Sequence, residues 1–127
     1  MTCIFCSIDT SRVIARNKLA YAIKDGFPVT QEHTLIIPHR HAETFFDLTK
    51  DEISACLDLL REQRNHIIEN DSSVTGFNIG INAGASAGQT VFHCHIHLIP
   101  RRTGDVEDPR GGIRHVIPNK GYYKADD

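Results

Sequence analysis

Three histidines at alternate positions, His93, His95 and His97, stand within Val91-Phe92-His93-Cys94-His95-Ile96-His97-Leu98-Ile99-Pro100. On an extended strand successive side chains point to opposite faces, so the three imidazoles share one face, each about 7 Å from the next. Cys94, Ile96 and Leu98 share the other face, and their chemistry suits a core. On a helix the same positions fan out by roughly 100° per residue and do not converge. The pattern therefore predicts a strand with one buried and one reactive face, ended by Pro100. Three chemistries compete for it. The imidazoles are ligands of an open metal site, or one attacks phosphorus while the others assist, or all three simply bond the backbone. A metal hydrolase wants a carboxylate near the third histidine, and the adjoining residues offer none. A nucleophile wants phosphate donors, and Asn82, Gln89 and Thr90 precede the strand.

Other residue types in the chain can do chemistry. Cys3-Ile4-Phe5-Cys6 is half a zinc site, a redox pair, or two small buried residues. Asp25 is a solvated turn residue or a carboxylate offered to sugar hydroxyls. His39 and His41 read as exposed loop residues, Cys56 as core and His66 as solvated.

The elements that must position these groups follow from local pattern. Leu19 to Asp25 reads as a strand, broken by Gly26-Phe27-Pro28, and His33 to Pro38 as its antiparallel partner. Thr44 to Leu48 suggests a helical turn. Thr49 and Glu52 form a capping box for a helix from about Lys50 to Glu69. Ile53, Leu57, Leu60, Ile67 and Ile68 mark its expected buried stripe, which Arg64 interrupts. Thr75 to Asn82 alternates, with Phe77, Ile79 and Ile81 on one face and Asn78, Gly80 and Asn82 on the other. Glycine and asparagine on one face suit a surface that something approaches closely. The small-residue loop Ala83 to Gln89 then returns the chain to the histidines and offers backbone N–H groups to an anion. It is no P-loop, since the lysine and the following helix are missing.

With 127 residues, the chain fits a single domain, residues 1–127, of which 101–127 reads as loop or tail. That tail carries five basic residues between Arg101 and Lys120, offset by Asp105, Glu107 and Asp108. A net charge of -2 recommends neither nucleic acid nor an anionic membrane as partner. No apolar run is long enough to span a bilayer. The N-terminus does not read as a secretory signal, which points to the cytoplasm, where four cysteines mean thiols or metal ligands.

The stretch from Asn82 to Pro100 resembles the histidine-triad (HIT) superfamily, of the bacterial diadenosine-polyphosphate hydrolase and nucleotide phosphoramidase type. His33 to His41, Asp25 with Pro28, and the N-terminal C-x-x-C support it. Cys94 is a less usual residue between the first two histidines, and Glu32 stands where glycine is common. The resemblance implies an α+β fold with a mainly antiparallel sheet of about five strands, one long helix and a homodimer. It implies cleavage at the α-phosphate of dinucleoside polyphosphates or nucleoside phosphoramidates, through a nucleotidyl-histidine intermediate, with no organic cofactor. His95 would be the nucleophile. His97 would contact the phosphate and the leaving group, with His33 behind it. Gln89 and Thr90 would hold phosphoryl oxygens, Asp25 the ribose, Ile23 the base and Asn82 the phosphate region. In metal-free relatives the first triad histidine joins the catalytic hydrogen-bond network, which would make His93 a partner of His33; in relatives with C-x-x-C it can instead bind zinc, which would make Cys3, Cys6, His41 and His93 a structural site. The alternatives are a nucleotidyltransferase, against which His97 argues, and a nucleotide- or partner-binding module with incidental hydrolysis.

Overall fold

The computed structural model describes residues 3–123. Five strands form one antiparallel sheet in the order β1-β2-β3-β5-β4. They are β1 (Val13–Arg16), β2 (Ala20–Lys24), β3 (Thr34–Pro38), β4 (Val74–Gly80) and β5 (Ile96–Arg102). One helix, α1 (Lys50–Asn70), packs on a single face of the sheet. Among the described residues no helix is long and apolar enough to cross a membrane.

The helix begins where the capping box places it. The Thr49 hydroxyl accepts from the Glu52 N–H, and the Glu52 carboxylate accepts from the Thr49 N–H. That same carboxylate is buried and takes two charge-assisted bonds from Arg40, at 2.8 and 2.9 Å. The Arg40 guanidinium holds the Glu52 carboxyl down at about 2. The buried stripe is rotated from the expected one. Glu52, Cys56, Leu59, Gln63 and Ile67 face the sheet, while Leu57 and Ile68 face solvent. Cys56 and Leu59 pack with Ala20, Ala22, Ile36 and Ile96.

Strands β2 and β3 are buried on both faces, which is why they read as near-continuous apolar runs. On the face away from α1, Tyr21, Ile23, Leu35 and Ile37 pack under Phe5 from the N-terminal segment. The edge strand β1 is only four residues long and alternates half-buried with exposed.

Two details of β5 differ from the sequence reading. Regular pairing in β5 starts at Ile96, so His93 and His95 lie in the bent segment leading into it. The alternation still holds, since Cys94, Ile96 and Leu98 are buried in the core. Pro100 lies inside β5 and does not end it. Pairing with β3 stops at Thr34 opposite Leu98, so the missing N–H interrupts no bond there. The Pro100 carbonyl accepts from the Thr30 hydroxyl at 2.7 Å on that same side.

Glu32, where the sequence departs from glycine, has φ 72. This left-handed conformation costs a side chain about 1–2 kcal/mol. Its carboxylate bonds Arg102 at 3.0 Å, and Arg102 also bonds Asp71 just past the end of α1. The ion pair ties the loop before His33 to the end of β5. Glu32→Ala keeps the backbone cost and loses the pair, whereas Glu32→Gly relieves the cost. The alanine variant is therefore expected to be about 1 kcal/mol less stable than the glycine variant. Denaturant midpoints check this, and equal midpoints would contradict it.

Candidate active site

The site lies on the face of the sheet opposite α1. His97 sits on β5 beside Leu35 of β3 and Gly80 of β4. Hydrogen-bond partners fix the state of each imidazole. His95 Nδ1 lies 2.8 Å from the His93 carbonyl oxygen. An oxygen there only accepts, so Nδ1 carries a hydrogen, and in the neutral ring the lone pair resides on Nε2. His95 is half-buried, and its ring centroid stands 5.2 Å from that of His97.

His33 is buried and occupies the opposite tautomer. Its Nδ1 accepts from the Val29 N–H at 3.1 Å, so the hydrogen resides on Nε2. His33 Nε2 donates to His97 Nδ1 at 2.9 Å. His97 therefore carries its own hydrogen on Nε2. Burial, with His95 and His33 nearby, pushes His97 down to about 4, and Asp25 opposes this only in part. Burial also lowers His33, again opposed by Asp25. Near neutral pH both rings are uncharged.

Asp25 lies beside these two rings, immediately after β2. One carboxylate oxygen accepts from the Phe27 N–H at 2.8 Å. The other lies 3.4 Å from His33 Nε2 and 4.0 Å from His97 Nδ1. Asp25, His33 and His97 are close enough to suggest a metal site. The Val29 N–H argues against one. A metal on His33 Nε2 would require a hydrogen on Nδ1, facing another donor at 3.1 Å. The Val29 N–H, His33 and His97 form a relay of hydrogen bonds, with the Asp25 carboxylate beside it.

Cys3, Cys6, His41 and His93 have the opposite logic. Their four donor atoms lie within 4.8 Å of one another. Cys3 Sγ is 3.4 Å and Cys6 Sγ 3.5 Å from His93 Nδ1, and Cys6 Sγ is 3.3 Å from His41 Nδ1. Zinc bound at about 2.3 Å to sulfur and 2.0–2.1 Å to nitrogen brings tetrahedral ligands to similar separations. His93 Nε2 donates to the Pro38 carbonyl at 2.8 Å, leaving Nδ1 free as a ligand and holding the ring in place. Burial and the neighbouring Cys3 raise the Cys6 thiol, so the two sulfurs resist ionising together without a cation. The residues fit a structural zinc site.

Other expected site residues are placed less directly. The Gln89 amide is buried in its own loop. It donates to the carbonyls of Glu43 and Val91 and accepts from the Gly84 N–H. Gln89 thus braces the loop, and its amide is not open to a phosphate. The N–H groups of Ala87, Gly88 and Gln89 also turn inward, to the carbonyls of Gly84 and Ala85. Thr90 is exposed and Asn82 half-buried beside Gly88, beyond the end of β4. Ile23 is fully buried under the N-terminal segment, so it underlies the site and presents no surface to a base. The sequence reading missed Phe5 as a site residue. Its ring edge packs on His95 at 5.0 Å and His93 at 6.0 Å. Its place between the two cysteines was the available signal.

The HIT domain matches residues 8–104 of the chain. The AP-4-A phosphorylase of Mycobacterium tuberculosis is 39% identical over 94 residues, covering 73% of this chain and 48% of the relative. The asymmetrical bis(5'-nucleosyl)-tetraphosphatase of Schizosaccharomyces pombe is 38% identical over 98 residues, covering 77% and 53%. The chain spans about half the length of these two proteins. A crystal structure of a zinc-bound histidine triad family protein from Mycobacterium smegmatis superposes with a TM-score of 0.75 at 34% identity, covering 83% of this chain and 78% of that one. With its triad, its sheet and a domain match over most of its length, the chain belongs to the HIT family.

Proposed function

We propose that the protein is a nucleotide hydrolase that cleaves at the α-phosphate of dinucleoside polyphosphates or nucleoside phosphoramidates. The observation that carries this is the tautomer of His95. Its Nδ1–H is spent on the His93 carbonyl, which leaves Nε2 as a free base beside a second neutral imidazole. The names of the tetraphosphatase and phosphorylase relatives support a nucleotide substrate.

In this reading His95 Nε2 attacks the α-phosphorus, and the bond to the leaving group breaks with its electron pair. The product is a nucleotidyl-histidine whose positive charge the His93 carbonyl stabilises through Nδ1–H. His97 holds a hydrogen bond from Nε2–H on the phosphate or leaving group, with His33 fixing its orientation. Water then attacks the same phosphorus, releases the nucleoside monophosphate and restores His95. Thr90 and Asn82 contact the phosphate region, and Gln89 acts through the loop it braces. Asp25 binds the ribose, its carboxylate being 15% exposed beside His97. The substrate's nucleoside is adenosine. Phosphate replacing water as the second acceptor is a further reading, supported by the phosphorylase relative.

Zinc at Cys3, Cys6, His41 and His93 has no open position, so it supplies structure and no chemistry. The zinc-bound relative supports it. A second copy of the chain covers the exposed Leu57, Ile68 and Ile79 and the free edge of β4, giving a homodimer. Thiols, rather than disulfides, at all four cysteines suit the cytoplasm.

His95→Ala is expected to lower turnover of diadenosine tetraphosphate and adenosine phosphoramidate at least about 1,000-fold while the fold persists. Wild-type rates in that variant would end the reading. For the metal, elemental analysis is expected to find about one zinc per chain. Cys3→Ser should lose it and melt ~5 °C or more lower. Metal-free protein whose melting ignores chelator would contradict the zinc assignment.

A further inference from the structure

Phe5 is held by two systems at once. Cys3 and Cys6, on either side of it, belong to the four-donor cluster with His41 and His93. Its carbonyl accepts from the Tyr21 hydroxyl at 2.5 Å, and the residue is 7% exposed, packed among Tyr21, Ile23, Leu35 and Ile37. The Phe5 ring meets His95 edge-on, with centroids 5.0 Å apart and planes at 66°. His93, the fourth donor of the cluster, meets the same ring at 6.0 Å and lends its backbone carbonyl to His95 Nδ1. Two routes therefore lead from the C-x-x-C cluster to one imidazole, one by packing and one by a hydrogen bond.

An imidazole rotates in a broad, roughly two-fold torsional well about its second side-chain bond. A half-turn would carry Nδ1 away from the His93 carbonyl and swing Nε2 off its line of attack. The carbonyl alone rewards one orientation, and the Phe5 edge obstructs rotation out of it. Both restraints sit on the segments that the four donors join.

We propose that Phe5 is a positioning residue for His95, and that a divalent cation gathering Cys3, Cys6, His41 and His93 locks the attacking imidazole in its Nδ1–H tautomer through Phe5 and the His93 carbonyl. This rests on the reading of His95 as the nucleophile. The C-x-x-C segment is then part of the active site at one remove. Loss of the cation slackens the nucleophile without removing any group that touches the substrate.

The test compares zinc-loaded wild type, zinc-loaded Phe5→Leu and chelator-stripped wild type. Leucine keeps the apolar packing and removes the ring edge. Long-range proton–nitrogen NMR of the His95 ring is expected to show one tautomer, Nδ1–H, in the loaded wild type. Both tautomers should appear in the other two samples. With adenosine phosphoramidate, Phe5→Leu is expected to lower kcat about 10-fold or more and to move KM by less than about twofold. A raised KM with unchanged kcat would assign Phe5 to substrate binding and overturn the proposal. So would a single, unchanged His95 tautomer in all three samples. If wild type turns over no nucleotide, the proposed function fails, while the NMR comparison still decides whether the cluster and Phe5 hold His95.

Discussion

The bond from His95 Nδ1–H to the His93 carbonyl determines which nitrogen of the central histidine is available. An imidazole in water exchanges its hydrogen between two positions, and only one leaves Nε2 as a base. A carbonyl two residues back removes that freedom without any second side chain. It does so because the segment before β5 is bent and not yet paired in the sheet. In a regular strand the carbonyl of His93 would point sideways into the ladder, away from the side chain of His95. The departure from strand geometry at His93 is thus a condition of the proposed chemistry.

The rest of the molecule keeps that segment in place. The Cys94 N–H bonds the Ala42 carbonyl at 2.7 Å, and His93 Nε2–H bonds the Pro38 carbonyl, so the end of β3 and the chain just after it grip the segment at two points. Cys94, Ile96 and Leu98 anchor its other side in the core. The histidines divide by the groups they face. Val29 N–H makes His33 a donor through Nε2, which makes His97 a donor through Nε2 in turn. The Pro38 carbonyl takes the hydrogen of His93 Nε2 and leaves Nδ1 facing the sulfurs of Cys3 and Cys6. Three backbone groups thereby set the tautomers of His33, His93 and His95, and the bond from His33 settles that of His97.

What was legible in the sequence was local. Thr49 and Glu52 announced the start of α1 because a capping box needs only four residues. The alternation of apolar and polar residues in β4, and the antiparallel pairing of β2 with β3, came from the same short range. The four metal donors were named from the resemblance and are gathered in space, as are Asp25, His33 and His97. Less legible was whatever depended on distant chain. The Gln89 amide is taken by the carbonyl of Glu43, 46 residues away, which no reading of its own loop could supply. Ile23 is covered by the N-terminal segment. The helix stripe was misplaced because Arg40 makes Glu52 a buried residue, shifting the sheet-facing side toward Cys56 and Leu59. β1 is too short, at four residues, to stand out, and it exists because β2 offers it an edge.

The central claim is that His95 attacks phosphorus before water does. The stereochemical course at the α-phosphorus tests it most directly. The substrate is a diadenosine polyphosphate with sulfur in place of one α-phosphoryl oxygen and known configuration at that phosphorus, hydrolysed in isotopically labelled water. Two successive in-line displacements, the first by His95 and the second by water, predict net retention of configuration. Net inversion would mean that water attacks in a single step, and would contradict a covalent role for His95.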